Sequence, residues 1–270
     1  MAAFVFLYLA VYFIIENFIS ILYAMLFVVK SIFNEPNASG SVDFKNFESA
    51  LYQNYMIIKV ISAFITLSIY WFVMWLRKEK ILNFCGFSRI GRKSIALTAL
   101  IGVALVLPVD FIVGFLSIDK LSPGTEKAFN SIFEGNSFFV LLLGIGILGP
   151  IVEEILFRGL VFNELRKNMP VALAVVLQGL AFGAYHMNWT QFLYAAPLGI
   201  LFGLVYLWTR SIWSTILVHI FFNTTGVVIA QYFNEQKFLN IFTFTLSLIV
   251  AVIILVSLWF GRVKHNKKVL

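Results

Sequence analysis

Apolar runs long enough to cross a bilayer recur along the whole chain, and they restrict it to a fold of membrane-spanning helices. A spanning helix needs about 20 predominantly apolar residues, and the first run continues from the N-terminus to about Val29. Hydrophobic residues are 61% of the 270, charged residues only 12%, and 30 positions are Phe. A soluble protein would hold roughly half apolar and a quarter charged residues, so many of these helices should be apolar on every face. Eight spans are expected, at 3–30, 51–76, 94–117, 137–163, 170–187, 192–208, 212–232 and 238–261. The predicted fold class is all-α, a polytopic membrane protein of about eight transmembrane helices with an intramembrane polar site.

The net charge of +7 does not point to nucleic acid, because the basic residues gather in particular connections. Segment 77–93 carries Arg77, Lys78, Lys80, Arg89, Arg92 and Lys93 against Glu79, and 164–168 carries Arg166 and Lys167 against Glu164. Arg210 marks the next turn of that kind, and the tail adds Arg262, Lys264, Lys267 and Lys268. The intervening connections, 33–50, 118–136 and 233–237, are neutral or acidic. That alternation follows the positive-inside rule and predicts both termini in the cytoplasm. The N-terminus lacks a basic n-region and its apolar run exceeds a signal h-region, so it reads as a retained first span. Cys85, the only cysteine, cannot form an intrachain disulfide, lacks metal-site spacing and is expected to be inert. No internal repeat or soluble domain is visible, and segment 33–50 reads as ordinary loop. The chain divides into residues 1–136 (spans one to three), 137–232 (the segment holding the polar motifs) and 233–270 (the last span and a basic tail), as one structural unit.

Against this background six polar residues stand out inside predicted spans: Glu153, Glu154, Arg158, His186, His219 and Asn223. A charge near the bilayer centre costs several kcal/mol, so such residues are kept mainly where they work or pair. Residues four apart on a helix share a face, which pairs Glu154 with Arg158 and leaves Glu153 pointing elsewhere, free to titrate. A glutamate in a low-dielectric site is a suitable general base, and Gly149-Pro150 just before it can loosen the helix and admit water. His219 and Asn223 are also four apart, and both can donate to a developing oxyanion. His186 shares its face with Phe182, which can wall the site and hold the ring. This inventory suits hydrolysis of a peptide bond by activated water. The bland reading of each residue alone is helix pairing; their coincidence is the argument for a site. Glu16, Lys59 and Asp110, also in or near spans, read as loop-end or helix-pairing residues, Lys30 as an interfacial residue, and His265 as part of the basic tail.

At these residues the chain resembles the CAAX-protease and bacteriocin-processing family of intramembrane endopeptidases, also called the Abi family. The three motifs of that family are Glu-Glu-x-x-x-Arg, Phe-x-x-x-His and His-x-x-x-Asn. They match Glu153-Glu154-Ile-Leu-Phe-Arg158, Phe182-Gly-Ala-Tyr-His186 and His219-Ile-Phe-Phe-Asn223. The resemblance covers about 137–230; each motif alone is weak and the ordered trio is specific. It implies a prokaryotic-type membrane peptidase in the bacterial cytoplasmic membrane, acting on a hydrophobic or lipidated peptide or protein. It further implies Glu153 as base for the attacking water with His186 assisting, Arg158 steadying Glu154, and His219 with Asn223 holding the oxyanion. Members of the family mature secreted peptides, tune surface display or confer immunity to bacteriocins. Partners are membrane lipid and the peptide substrate, with no nucleic acid.

No cofactor is favoured. Glu153, His186 and His219 are also a ligand set for zinc, but they would have to gather from three spans. Depth adds a constraint. At 1.5 Å per residue, His186 lies about 24 Å from the basic side and His219 about 10 Å. The fifth span is therefore expected to end within the membrane, with 187–193 lining a polar cavity where irregular backbone is tolerated. The rival functions are a proton-coupled transporter and a non-catalytic immunity or scaffold protein.

Overall fold

A segment in lipid must satisfy its backbone N–H and C=O groups internally, and the helix does so within one segment. The computed structural model of the chain follows this rule throughout the residues it describes, 2–34, 44–122, 124–233 and 240–266, among which there is no strand. In chain order the helices are α1 (Ala2–Asn34), α2 (Phe44–Leu76), the short α3 (Ile81–Phe84), α4 (Arg92–Phe115) and α5 (Thr125–Gly135). They continue with α6 (Phe138–Leu165), α7 (Val171–Tyr185), α8 (Trp189–Thr209), α9 (Ile212–Tyr232) and α10 (Ile241–Asn266).

Seven of these, α1, α2, α4, α6, α8, α9 and α10, are long and apolar enough to cross a membrane. The protein is an integral, multi-pass membrane protein. The remaining expected span, α7, has 15 residues. It rises only about 22 Å, short of a hydrocarbon core of roughly 30 Å. It folds back on α8 as a tight hairpin: a Cβ at Gly179 would lie 2.7 Å from the Ile200 nitrogen, and one at Gly183 2.9 Å from that of Ala196. Small residues are what let two backbones approach in this way.

Helix α6 runs through the middle, with Leu156, Phe157, Leu160 and Phe162 fully buried. Helices α1 and α10 turn rows of apolar side chains outward, among them Phe6, Phe18 and Leu26 on α1 and Phe242, Ile249 and Ile253 on α10. Those are lipid-facing surfaces. At the basic end Asn163 donates to the Phe84 carbonyl (2.6 Å), Ser88 to that of Arg210 (2.7 Å), and the Ile212 amide to Gly86 (3.0 Å). The connection between α2 and α4 is thereby stitched over the α6–α7 and α8–α9 turns. Cys85 lies in that connection, fully buried beneath Gly159, and burial pushes its thiol up to about 12. At the opposite end Ser122 accepts from the amides of Trp189 and Thr190, and Asn136 donates to the Tyr52 carbonyl.

Three features depart from the sequence reading. Connection 118–136 contains α5, an amphipathic helix whose Phe129, Ile132 and Phe133 face inward over a cavity. Helix α2 starts at Phe44, because a helix need not end where its apolar run ends. Part of 33–50 is thus helical; 35–43, like Glu235 and Lys237 of the 233–237 turn and Lys267 and Lys268 of the tail, lies outside the described residues. Finally, α6 widens into two π stretches, Leu142–Leu148 and Ile155–Val161. Pro150 has no N–H to give to the carbonyl four residues back, and the Gly149 amide donates to Gly144, five back. The loosening expected at Gly149-Pro150 is present, and a second one follows the glutamates.

Candidate active site

Between its two wide stretches α6 keeps one ordinary helical segment, Gly149–Glu154, and this segment carries both glutamates. Glu154 and Arg158 are fully buried, and Arg158 Nη1 donates to Glu154 Oε1 at 2.7 Å. Arg158 Nη2 donates to the Gly199 carbonyl at 2.9 Å, and its guanidinium lies 4.5 Å from the Phe182 ring and 5.2 Å from that of Phe202. A buried arginine is tolerable where a carboxylate, a carbonyl and aromatic faces replace its water.

The same Glu154 oxygen, Oε1, also lies 2.8 Å from His219 Nδ1. The other imidazole nitrogen, Nε2, stands 3.8 Å from Glu153 Oε2. Arg158, Glu154, His219 and Glu153 therefore form a row of alternating charge type. An ionised Glu154 needs a donor at Nδ1, which assigns a proton to that nitrogen and leaves Nε2 turned toward Glu153. The gap of 3.8 Å is too wide for a good hydrogen bond, and both residues line the cavity.

Glu153, His186, His219 and Asn223 all line one cavity of about 760 Å³, together with Gly149, Phe182, Met187, Asn188 and Gln191. Residues 187, 188 and 191 border the cavity, but the irregular backbone expected over 187–193 ends at Asn188: α8 begins at Trp189, and Gln191 lies in its first turn. The depth difference between the histidines is spanned by a ring rather than closed. Phe182 packs edge-on against His186 at 5.3 Å and against His219 at 5.7 Å, so His186 stands one ring further along the same wall. Asn223 Nδ2 donates to the Ile145 carbonyl in the first π stretch (3.0 Å), which uses one of its two N–H groups.

Sequence reasoning placed Glu16, Lys59 and Asp110 at loop ends or in helix pairing; Glu16 and Lys59 do pair two helices, and what the sequence did not show is that all three also line the cavity. Glu16 and Lys59 form an ion pair between α1 and α2, and Tyr185 donates its hydroxyl to Glu16. Their mid-span charge was the visible signal; what they touch depends on how α1, α2 and α7 meet. A zinc ion would need its donors about 2.0–2.2 Å from one point. Among the described residues no three His, Cys, Asp or Glu side chains gather in that way. Glu153, His186 and His219 as arranged do not fit a zinc ion.

Residues 135–225, which hold all three motifs, match the family model of type II CAAX prenyl endopeptidases, Rce1-like. The chain is 30% identical over 156 residues to the membrane-embedded CAAX protease MroQ of Staphylococcus aureus (strain USA300), which covers 54% of this chain and 62% of that protein. It is 28% identical over 103 residues to YdiL of Bacillus subtilis (strain 168), named provisionally as a membrane peptidase, covering 36% of this chain and 42% of that one. Less than two thirds of either relative is therefore spanned. No solved structure matches.

Proposed function

We propose that this chain, which belongs to the CAAX-protease and bacteriocin-processing family, is an intramembrane endopeptidase that hydrolyses a peptide bond with water activated by Glu153. The observation that supports this reading best is the row Arg158–Glu154–His219–Glu153 at the edge of a cavity large enough for a short peptide segment. In this reading residues 137–232 carry the chemistry, while 1–136 and 233–270 enclose it.

Water held between Glu153 and His219 attacks the scissile carbonyl carbon as Glu153 takes its proton. The carbonyl π electrons move onto oxygen, giving an oxyanion. His219, its Nδ1–H held by Glu154, donates from Nε2 as an imidazolium, and Asn223 donates with its second N–H. Collapse of the intermediate breaks the C–N bond, and Glu153 returns the proton to the leaving nitrogen. With His219 protonated, the row holds two positive and two negative charges. Proton transfer to Glu153 then moves one negative charge onto the substrate and leaves the total unchanged. A charge-balanced row is one that a low-dielectric site can hold. His186 assists from the far side of Phe182. The substrate is a hydrophobic or lipidated peptide, because the cavity walls are largely apolar.

The test is cleavage of a fluorogenic hydrophobic-peptide panel by the detergent-purified protein beside its Glu153→Gln variant. Loss of about 10³-fold is expected from removing a general base, and 1,10-phenanthroline should leave wild-type cleavage unchanged. Equal cleavage by wild type and variant would remove Glu153 from the role; sensitivity to the chelator would refute metal-free activation. The proposed location is the bacterial cytoplasmic membrane with both termini inside. Tags at either end should then resist protease added to intact spheroplasts.

A further inference from the structure

The cavity holds a second polar cluster that the chemistry above does not use. Lys59 is paired with Glu16 Oε1, and the Tyr185 hydroxyl donates to the other oxygen, Oε2. The Tyr185 ring is stacked on Tyr12 at 4.5 Å and 6°, and meets Phe157 edge-on at 5.9 Å. Tyr185 is the last residue of α7, and His186 follows it directly.

Packing of Gly183 on Ala196 and of Phe182 on His186 holds this end on one side, and the Tyr185 hydroxyl is a hydrogen-bonded tie to α1 on the other. Met187 turns the chain at φ 55°. The amides of His186 and Met187 close on Gly183 and Ala184 at 3.3 and 3.1 Å, and no further helical turn continues the ladder. Helix ends of this kind fray unless side chains tie them. Here the tie is the Tyr185 hydroxyl on a carboxylate from α1, and a charged acceptor makes the stronger bond. Lys59 neutralises that carboxylate, which would otherwise be costly inside a span.

We infer that Glu16 is a positioning residue, with Lys59 as its counter-charge: by holding Tyr185 it fixes the end of α7 and so the direction in which His186 faces the cavity. The inference rests on the proposed peptidase reading for its kinetic consequence, and on geometry alone for its structural one. It gives α1 and α2, which lie outside the matched segment 135–225, a share in shaping the site.

Two double variants test it. Glu16→Gln/Lys59→Met keeps an oxygen that accepts from Tyr185, Glu16→Ala/Lys59→Met does not, and neither leaves an unpaired charge. On the same peptide panel the Gln pair should show kcat about tenfold above the Ala pair with KM alike, a difference of the size of one hydrogen bond. Tyr185→Phe, which removes a single oxygen, should match the Ala pair and guards against misfolding of the double variants. Independently of activity, hydrogen exchange of the full chain in detergent should be about tenfold faster at the His186 and Met187 amides in the Ala pair and in Tyr185→Phe than in the Gln pair. Residues 171–180 should be unchanged. Equal kcat in the two double variants, or equal exchange at the two amides, overturns the inference. A wild-type protein that cleaves nothing would count against the peptidase reading, and the exchange comparison would still decide whether Glu16 tethers α7.

Discussion

Two carboxylate–cation pairs sit at the same cavity and are built differently. Glu154 and Arg158 lie four apart on one helix with no exposed side-chain surface, whereas Glu16 and Lys59 come from two helices and keep 19% and 26% of theirs exposed. The sealed pair has no exposed surface, so its charge is little screened, and the group it bears on most closely is His219, whose Nδ1 lies against Glu154. The open pair faces the cavity and reaches across to Tyr185. One pair is a fixed frame behind the groups proposed to react, and the other lies along the cavity wall.

That contrast is sharpest in stability. Arg158→Met leaves Glu154 buried beside His219 alone, and breaking a buried pair costs about 3 kcal/mol or more, roughly 10²-fold in the folding equilibrium. Lys59→Met leaves Glu16 partly open to the cavity and bonded by the Tyr185 hydroxyl, and its cost should be smaller, about 2 kcal/mol. Thermal midpoints of the two variants in one detergent check this directly. Equal losses would mean that the Glu16–Lys59 pair is as sealed as the other in the membrane, and the contrast would fail.

The same difference explains what could be read from the sequence. Glu154 with Arg158, His219 with Asn223 and Phe182 with His186 are neighbours by helical repeat, so spacing alone brings them to a common face. Glu16 and Tyr185 meet only because α1 packs beside the end of α7, and no local pattern encodes that. Apolar run length marked seven spans, and it marked α7 too, but run length does not say where a helix stops. Pro170 and the αL turn at Met187 confine α7 to 15 residues. The second π stretch of α6 has no proline to announce it; its sequence, Ile155–Val161, reads as ordinary apolar helix. Helix α5 was hidden by its charged face, since Glu126, Lys127 and Glu134 made the segment look like loop.

A smaller effect separates the groups proposed to meet the oxyanion. Asn223 spends one N–H on Ile145, so Asn223→Ala removes both a donor and a tie between α9 and α6. With His219 still in place, kcat should fall about tenfold, below the roughly 10²–10³ attached to a principal oxyanion donor. KM should move little. A larger fall in KM-independent rate than that of a His219→Gln protein would make Asn223 the principal donor and put the frame behind His219 in a secondary role.

The smallest effect is expected at Cys85, which reports on the sealed side of the comparison. Its sulfur packs against Gly159, one residue past Arg158, where an added Cβ would lie 2.7 Å from Sγ. With the thiol pushed up to about 12 by burial, only about one molecule in 10⁴ is thiolate at pH 8. Maleimide should therefore label the folded protein hardly at all and label it fully after denaturation. Cys85→Ser, which touches none of the cavity residues, should leave peptide cleavage as it is. Rapid labelling of the native protein would mean that the connection over the basic end opens and lets water reach the α6 surface beside Arg158. The frame would then be no drier than the Glu16–Lys59 wall, and the stability difference predicted above should shrink with it.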